Sequence, residues 1–426
     1  MKKLLSFFTA LVICLCLNLS LTAFATDNEM PTNGFDTDKT SAQIAREMKI
    51  GWNLGNTLDS WDGSGLDSET SWGNPKTTEK MILDIKAMGF NTVRVPVTWS
   101  IHADSKGNID SEWMARVKEV VDYAYDNDMY VILNSHHDDS YFDIGGCLSN
   151  EDTYAENIEK TANLWRNIAN TFKDYDERLV FETMNEPRTV GSENEWLGGT
   201  DEEYKIVFAL NDAIVKAIRA TGGNNAYRHI MVPAYAATPL TKVLRKMELP
   251  EDDRIIVSIH AYSPYSFAMD ENGATDFTKS DKKELDKFFS DLNKIFISKG
   301  IPVVIGEFGA TNKNNLEDRC KWAEYYVKGA GQYGIPCAVW DNNIGTESGA
   351  ECWGLYDRAT GEWVFPEIAE TMVKSADGAL KNTEINNAQK TSPDVTLPII
   401  FAVIAVVILI LIIILIKQKN RGFIKR

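Results

Sequence analysis

The chain has 426 residues, 44% of them hydrophobic and 25% charged, with 28 Gly and 13 Pro. Those fractions exclude a disordered, collagen-like or coiled-coil molecule and leave ample apolar material for one large domain or two medium ones. The 44 Lys plus Arg against 61 Asp plus Glu give a net charge of -17, which repels phosphate backbones and excludes nucleic acid as a partner.

At the N-terminus, Lys2 and Lys3 precede a mostly apolar run and the small-residue site Ala23-Phe24-Ala25. Residues 1–25 therefore read as a secretory signal peptide, with an uncleaved anchor as the alternative. Cys14 and Cys16 leave with it, so Cys147, Cys320, Cys337 and Cys352 remain. None shows a C-x-x-C or Cys/His metal spacing, and the choice between a Cys337–Cys352 bridge and free thiols stays open.

From there the chain alternates. Apolar or β-rich runs at 49–53, 92–96, 130–134, 179–183, 229–233, 255–259, 302–305 and 336–340 predict eight strands. Helical patterns at 78–88, 113–127, 154–172, 201–221, 282–298 and 316–333 lie between them, several stopped by glycine, as at Met88-Gly89 and Tyr333-Gly334. Continuous apolar runs suit strands covered on both faces, hence a parallel sheet. Eight repeats predict a single (β/α)8 TIM barrel over residues 26–374. The competing doubly wound sheet lacks any G-x-G-x-x-G or P-loop at a helix start.

Composition then shifts to a polar linker at 375–396, followed by an uninterrupted apolar stretch at 397–416. As a helix this stretch rises roughly 30 Å, a bilayer's hydrocarbon thickness. Lys417, Lys419, Arg421, Lys425 and Arg426 form a basic tail, 417–426, which stays cytoplasmic. The expectation is an exported barrel held on the outer face of the cytoplasmic membrane by one C-terminal transmembrane helix. The part outside carries 37 basic against 61 acidic residues, a net charge near -24.

A barrel of this class places its chemistry where each strand passes into the following loop. Those positions carry Asn53, Arg94, His136, His137, Asn185, Glu186, His260, Tyr262, Glu307 and Trp340. Polar groups converging at the close of apolar strands are costly unless function uses them. Glu186 and Glu307 follow strands 4 and 7, across the barrel from each other. Two facing carboxyl groups are what cleavage of a glycosidic bond requires.

The motifs Gly51-Trp52-Asn53-Leu54-Gly55-Asn56, Val93-Arg94-Val95-Pro96, His136-His137, Met184-Asn185-Glu186-Pro187, His260-Ala261-Tyr262 and Ile305-Gly306-Glu307-Phe308-Gly309 resemble those of glycoside hydrolase family 5. The likeness runs from about Lys39 to Ile368 and is nearest to the clostridial and rumen endoglucanase branch. It implies a retaining hydrolase of β-1,4-linked glucans, monomeric, with no metal or organic cofactor in catalysis. Carried over, Glu186 matches the acid/base and Glu307 the nucleophile. Asn185 matches the residue that holds the sugar 2-hydroxyl. Asn53, Arg94, His136, His260 and Tyr262 match substrate-site residues, Trp340 the aromatic floor, and His137 either a substrate contact or a supporting group.

Arg94 and Tyr262 should keep the nucleophile ionised, while the nearby negative charge should raise the acid Glu186. Trp99, Trp113, Trp165 and Trp322, on or beside helices, read as core. Trp61, Trp72, Trp196 and Trp353 lie in loops and could stack on glucose rings. His102 is open between cleft and surface. Asp138, Asp139 and Asp143 lack the ordered pattern of a calcium loop and read as solvated. Substrates on this reading are cellulose, mixed-linkage glucan or xyloglucan. A β-mannanase or xylanase on the same scaffold, and a non-catalytic glycan-binding protein, are the alternatives.

Overall fold

The computed structural model describes residues 34–388. Eight strands pair in parallel in chain order and close on themselves: β1 (Ile50–Asn53), β2 (Thr92–Val95), β3 (Tyr130–Asn134), β4 (Leu179–Glu182), β5 (Ile230–Pro233), β6 (Ile255–His260), β7 (Val303–Phe308) and β8 (Cys337–Val339). The expected (β/α)8 barrel is the observed one, each strand within three residues of its predicted bounds. A two-stranded antiparallel ribbon, β9 (Tyr356–Asp357) with β10 (Glu362–Trp363), follows the barrel.

The helices are α1 (Ser41–Glu47), α2 (Glu79–Met88), α3 (Ser111–Tyr125), α4 (Ile144–Ser149), α5 (Glu151–Thr171), α6 (Asp201–Ala220), α7 (Thr241–Leu244), α8 (Tyr265–Ala268), α9 (Lys279–Ile295), α10 (Leu316–Gly331) and α11 (Pro366–Ala388). Their ends follow local chemistry. The Thr200 and Thr278 side chains accept from backbone N–H groups of the first turns of α6 and α9 in capping boxes. Gly89, at φ 113°, ends α2 in a left-handed conformation that a side chain would strain.

Strand residues alternate between two apolar layers, which is why the strands read as unbroken apolar runs. Val131, Leu133, Leu179 and Phe181 join the core beneath the outer helices. Ile132, Val180, Met231, Ile256 and Val304 form a separate plug inside the barrel, closed by Ile44, Ala45 and Met48 at and just beyond α1. Two residues further along the same inward register the plug becomes polar: Asn134 follows Ile132, Glu182 follows Val180, and Ser258 follows Ile256. Arg94 and Asn53, register partners on β2 and β1, join this layer through hydrogen bonds from Arg94 to Glu182 and Asn53. The C-terminal half of the lumen is thus a polar layer on an apolar floor.

Glu307 does not obey the simple alternation. With Val304 inward, period two would turn residue 307 outward. The register slips between β6 and β7, where Ile259 pairs with Ile305 but His260 pairs with Glu307. A bulge of this kind re-aims a side chain, and here it brings Glu307 to Arg94.

Several expectations are corrected by burial. His102 lies neither in the cleft nor on the surface: it is buried and stacked on Trp113 with ring centroids 3.7 Å apart, and burial lowers its pKa to about 4. Asp138 is buried, not solvated, and accepts from the Trp99 and Ser100 amides, while Asp143 caps α4. Cys147, Cys320, Cys337 and Cys352 are all free thiols, so Cys337 and Cys352 are not bridged. Trp99, Trp113, Trp165 and Trp322 are core residues as expected.

The last barrel helix passes the expected start of the linker, since α11 continues through Ser375 and Ala376, both buried, to Ala388. The chain divides into two compact units, residues 1–381 and 382–426, and the barrel belongs to the first. Among the described residues no helix is long and apolar enough to cross a membrane. The expected signal peptide at 1–25, transmembrane helix at 397–416 and tail at 417–426 all lie outside the described residues.

Candidate active site

Arg94 is the hub. Its side chain has no exposed surface, and four of its five N–H groups meet oxygen acceptors. Nε donates to Glu182 Oε2 at 2.7 Å, Nη1 to Glu307 Oε1 at 2.7 Å and to Asn53 Oδ1 at 2.9 Å. Nη2 donates to Asn185 Oδ1 at 2.8 Å and reaches His260 Nε2 at 3.4 Å. Burial disfavours the guanidinium charge, but the carboxylates of Glu182 and Glu307 outweigh it and raise the Arg94 pKa.

These bonds divide the expected site residues into two groups. Asn53 is fully buried, and its amide nitrogen donates to the carbonyls of Gly306, Ala338 and Val339. Asn53 and Arg94, expected in the substrate site, are fully buried, and Arg94 holds Glu307 and Asn185 through hydrogen bonds. Asn185 differs: Arg94 occupies its Oδ1, while its amide N–H2 has no partner among the described residues and can donate to a sugar hydroxyl.

Glu307 is gripped from two sides. Oε1 accepts from Arg94, and Oε2 accepts from Tyr262 Oη at 2.8 Å. Burial first, and then the Glu307 charge, push the Tyr262 phenol well above its usual pKa, so it stays protonated as a donor. Across from it, Glu186 Oε1 lies 2.8 Å from His260 Nδ1. Oxygens of Glu186 and Glu307 and a ring nitrogen of His260 lie within 4.8 Å of one another.

One wall of the site is aromatic. Trp340 and His136 lie parallel, 8° between planes and centroids 5.6 Å apart. Gly55 makes room for Trp340, because a Cβ there would lie 2.7 Å from the indole. His137 stands edge-on to His136 and to Trp61, which in turn packs edge-on against Trp72. Trp61 is 53% exposed and Trp196 58%, the latter stacked under the Arg188 guanidinium at 4.5 Å. Trp353 is buried beside Tyr262 and belongs to the wall's support.

Asp59, His136 and His137 also cluster closely enough to suggest a metal site. The hydrogen bonds argue otherwise. Asn134 Oδ1 accepts from the Val97 amide, so its Nδ2 donates into His136 Nδ1 at 3.0 Å. That leaves the His136 proton on Nε2, whereas a metal-bound imidazole donates from its other nitrogen. Burial keeps both rings neutral, His136 well below the usual imidazole pKa and His137 at about 4.

Sequence reasoning missed Glu182, Ser258 and Asn134. Glu182 had a visible signal: an acid closing the apolar run Leu179-Val180-Phe181.

A family model described as Cellulase (glycosyl hydrolase family 5) matches residues 59–346. Among curated relatives, Endoglucanase A of Clostridium longisporum is 44% identical over 370 residues, 84% of this chain and 70% of that protein. Endoglucanase B of Neocallimastix patriciarum is 42% identical over 355 residues, 80% of this chain and 73% of that one. Among solved structures, a broad specificity endoglucanase from Ruminococcus champanellensis with bound cellotriose superposes with a TM-score of 0.76 at 43% identity, covering 80% of this chain and 100% of its own. With the family profile spanning both candidate carboxylates and relatives alike over most of their length, the chain belongs to glycosyl hydrolase family 5.

Proposed function

We propose that Glu307 is the nucleophile and Glu186 the acid/base of this retaining endo-β-1,4-glucanase. The carrying observation is the close approach of the two carboxylates, one oxygen of each lying within 4.8 Å of the other. Retaining glycosidases hold the pair about 5–5.5 Å apart, whereas an inverting enzyme needs about 6.5–9.5 Å to admit water between them.

In the first step a Glu307 oxygen bonds to the anomeric carbon as the glycosidic C–O bond breaks, and Glu186 gives its proton to the departing oxygen. Arg94 and Tyr262 fix the attacking carboxylate, so little reorganisation is needed at the moment of reaction. In the second step Glu186 takes a proton from water, the water oxygen bonds to the anomeric carbon, and Glu307 is released. Asn185 supplies the N–H that holds the sugar 2-hydroxyl, and Trp340 with His136 forms the floor and wall for the ring. Trp61 and Trp72, after β1, continue this aromatic surface through His137.

Solved relatives that are broad specificity endoglucanases, and one that is a xyloglucan-specific endo-β-1,4-glucanase, support cellulose, mixed-linkage glucan and xyloglucan as substrates. Proton NMR of the first product tests the mechanism: newly formed reducing ends should be β-configured, and α-configured ends would reject the pair. Release of reducing sugar from a panel of glucans, mannan and xylan tests the backbone. For location, the apolar run at 397–416 with its basic followers supports an exported enzyme held at the outer face of the cytoplasmic membrane. Protease accessibility of the full chain on wall-stripped cells tests that placement.

A further inference from the structure

Glu182 carries a charge that the two-carboxylate mechanism does not use. It closes β4 with no exposed surface. Burying a carboxylate is unfavourable unless it is paired and hydrogen-bonded, and this one is: Oε2 accepts from Arg94 Nε and Oε1 from Ser258 Oγ. Gly306 admits the arrangement, since a Cβ there would lie 3.3 Å from Glu182 Oε1, Ser258 Oγ and His260 Nε2 alike. One guanidinium therefore serves two carboxylates, Glu182 and Glu307, both at 2.7 Å.

We propose that Glu182 is a positioning residue whose negative charge divides the field of Arg94, so that Glu307 stays basic enough to attack the anomeric carbon. The inference rests on Glu307 being the nucleophile. A carboxylate facing an undivided guanidinium is a weaker nucleophile and a better leaving group. Neutralising Glu182 should then slow formation of the glycosyl–enzyme ester and speed its hydrolysis. The charged and titratable groups around Glu307 are Arg94 from β2, His137 after β3, Glu186 after β4, and His260 and Tyr262 at the end of β6. Of these, Arg94 alone hydrogen-bonds both carboxylates; His260 Nδ1 is 3.7 Å from Glu307 and its Nε2 is 4.0 Å from Glu182.

The test pairs Glu182→Gln with Ser258→Ala. Gln keeps the shape and an acceptor for Arg94 but removes the charge. Its acidic limb in kcat/KM should move down by about 0.5–1 pH unit, and kcat/KM on glucan should fall about tenfold. On dinitrophenyl cellobioside, whose excellent leaving group makes ester hydrolysis the slow step, the pre-steady-state burst should shrink. Ser258→Ala keeps the charge and removes the hydroxyl that shares it, so its acidic limb should move up. An unmoved limb in Glu182→Gln with equal losses on both substrates would mean a purely structural role and overturn the proposal. Should Glu182→Gln not fold, Ser258→Ala decides: an upward shift supports the proposal, an unmoved or lowered limb overturns it. Trapping with a 2-fluoro-cellobioside separates the two readings, because labelling of a residue other than Glu307 removes the nucleophile assignment itself.

Discussion

His260 Nδ1 and Glu186 Oε1, 2.8 Å apart, share a proton whose position is set by the charges around them. Burial would lower the His260 pKa, but the charge of Glu307 and the hydrogen bond and charge of Glu186 raise it. Burial would raise the Glu186 pKa, but the hydrogen bond and charge of His260, then Arg188 and Arg94, lower it. The expectation that Glu307 raises Glu186 directly is therefore corrected: imidazole stands between them and takes the effect. Both directions favour His260 over Glu186 as the holder of that proton, one short hydrogen bond from the residue that must deliver it.

This relationship fixes a pH dependence. The basic limb of kcat/KM follows loss of the pair's proton, and the raised His260 places that limb above the usual imidazole value of 6.5. The pair's apparent pKa cannot lie below that of Glu186 alone, because a second site also stores the proton. His260→Asn should therefore move the basic limb to lower pH. A pH profile with an unmoved basic limb would dissociate His260 from the acid/base.

Glu307→Gln should lose about 10⁴-fold or more in kcat, since the ester cannot form. Its fold should survive, because Glu182 still pairs Arg94 and the amide oxygen still accepts. Thermal unfolding within about 1.5 °C of the wild type, about 1 kcal/mol for a domain of this size, checks the second half.

Glu186→Ala should be slow on glucans yet far less impaired in ester formation from aryl cellobiosides, whose acidic phenols leave without a proton. Azide needs no general base, so it should restore turnover and yield a β-glycosyl azide. Equal impairment on both substrates, with no rescue, would remove Glu186 from the role.

The loop tryptophans should separate by burial. Trp61→Ala and Trp196→Ala remove exposed faces and should raise KM on polysaccharide several-fold, about 0.5–1.5 kcal/mol each, with little change in unfolding temperature. Trp353→Ala removes a buried side chain and should cost about 3–5 kcal/mol of stability, seen in denaturant unfolding.

The sequence by itself determined the barrel and the rim. Unbroken apolar runs such as 130–133 and 303–305 meet an apolar layer on each face, and hydrophobic pattern encodes that directly. The ionisable groups that close those runs are visible for the same reason, since polarity at the end of a buried strand breaks the pattern. Tertiary structure alone decided which of them are buried beneath the rim. Asn53 and Arg94 look like rim residues in the sequence, but the inward register sets them a layer below, where Glu182 and Ser258 complete their bonds. It also decided that Glu307 faces inward, because a slip in pairing between β6 and β7 leaves no mark on local hydrophobicity. The proton of Glu186 depends on His260, 74 residues away, through a contact that exists only once the barrel has closed.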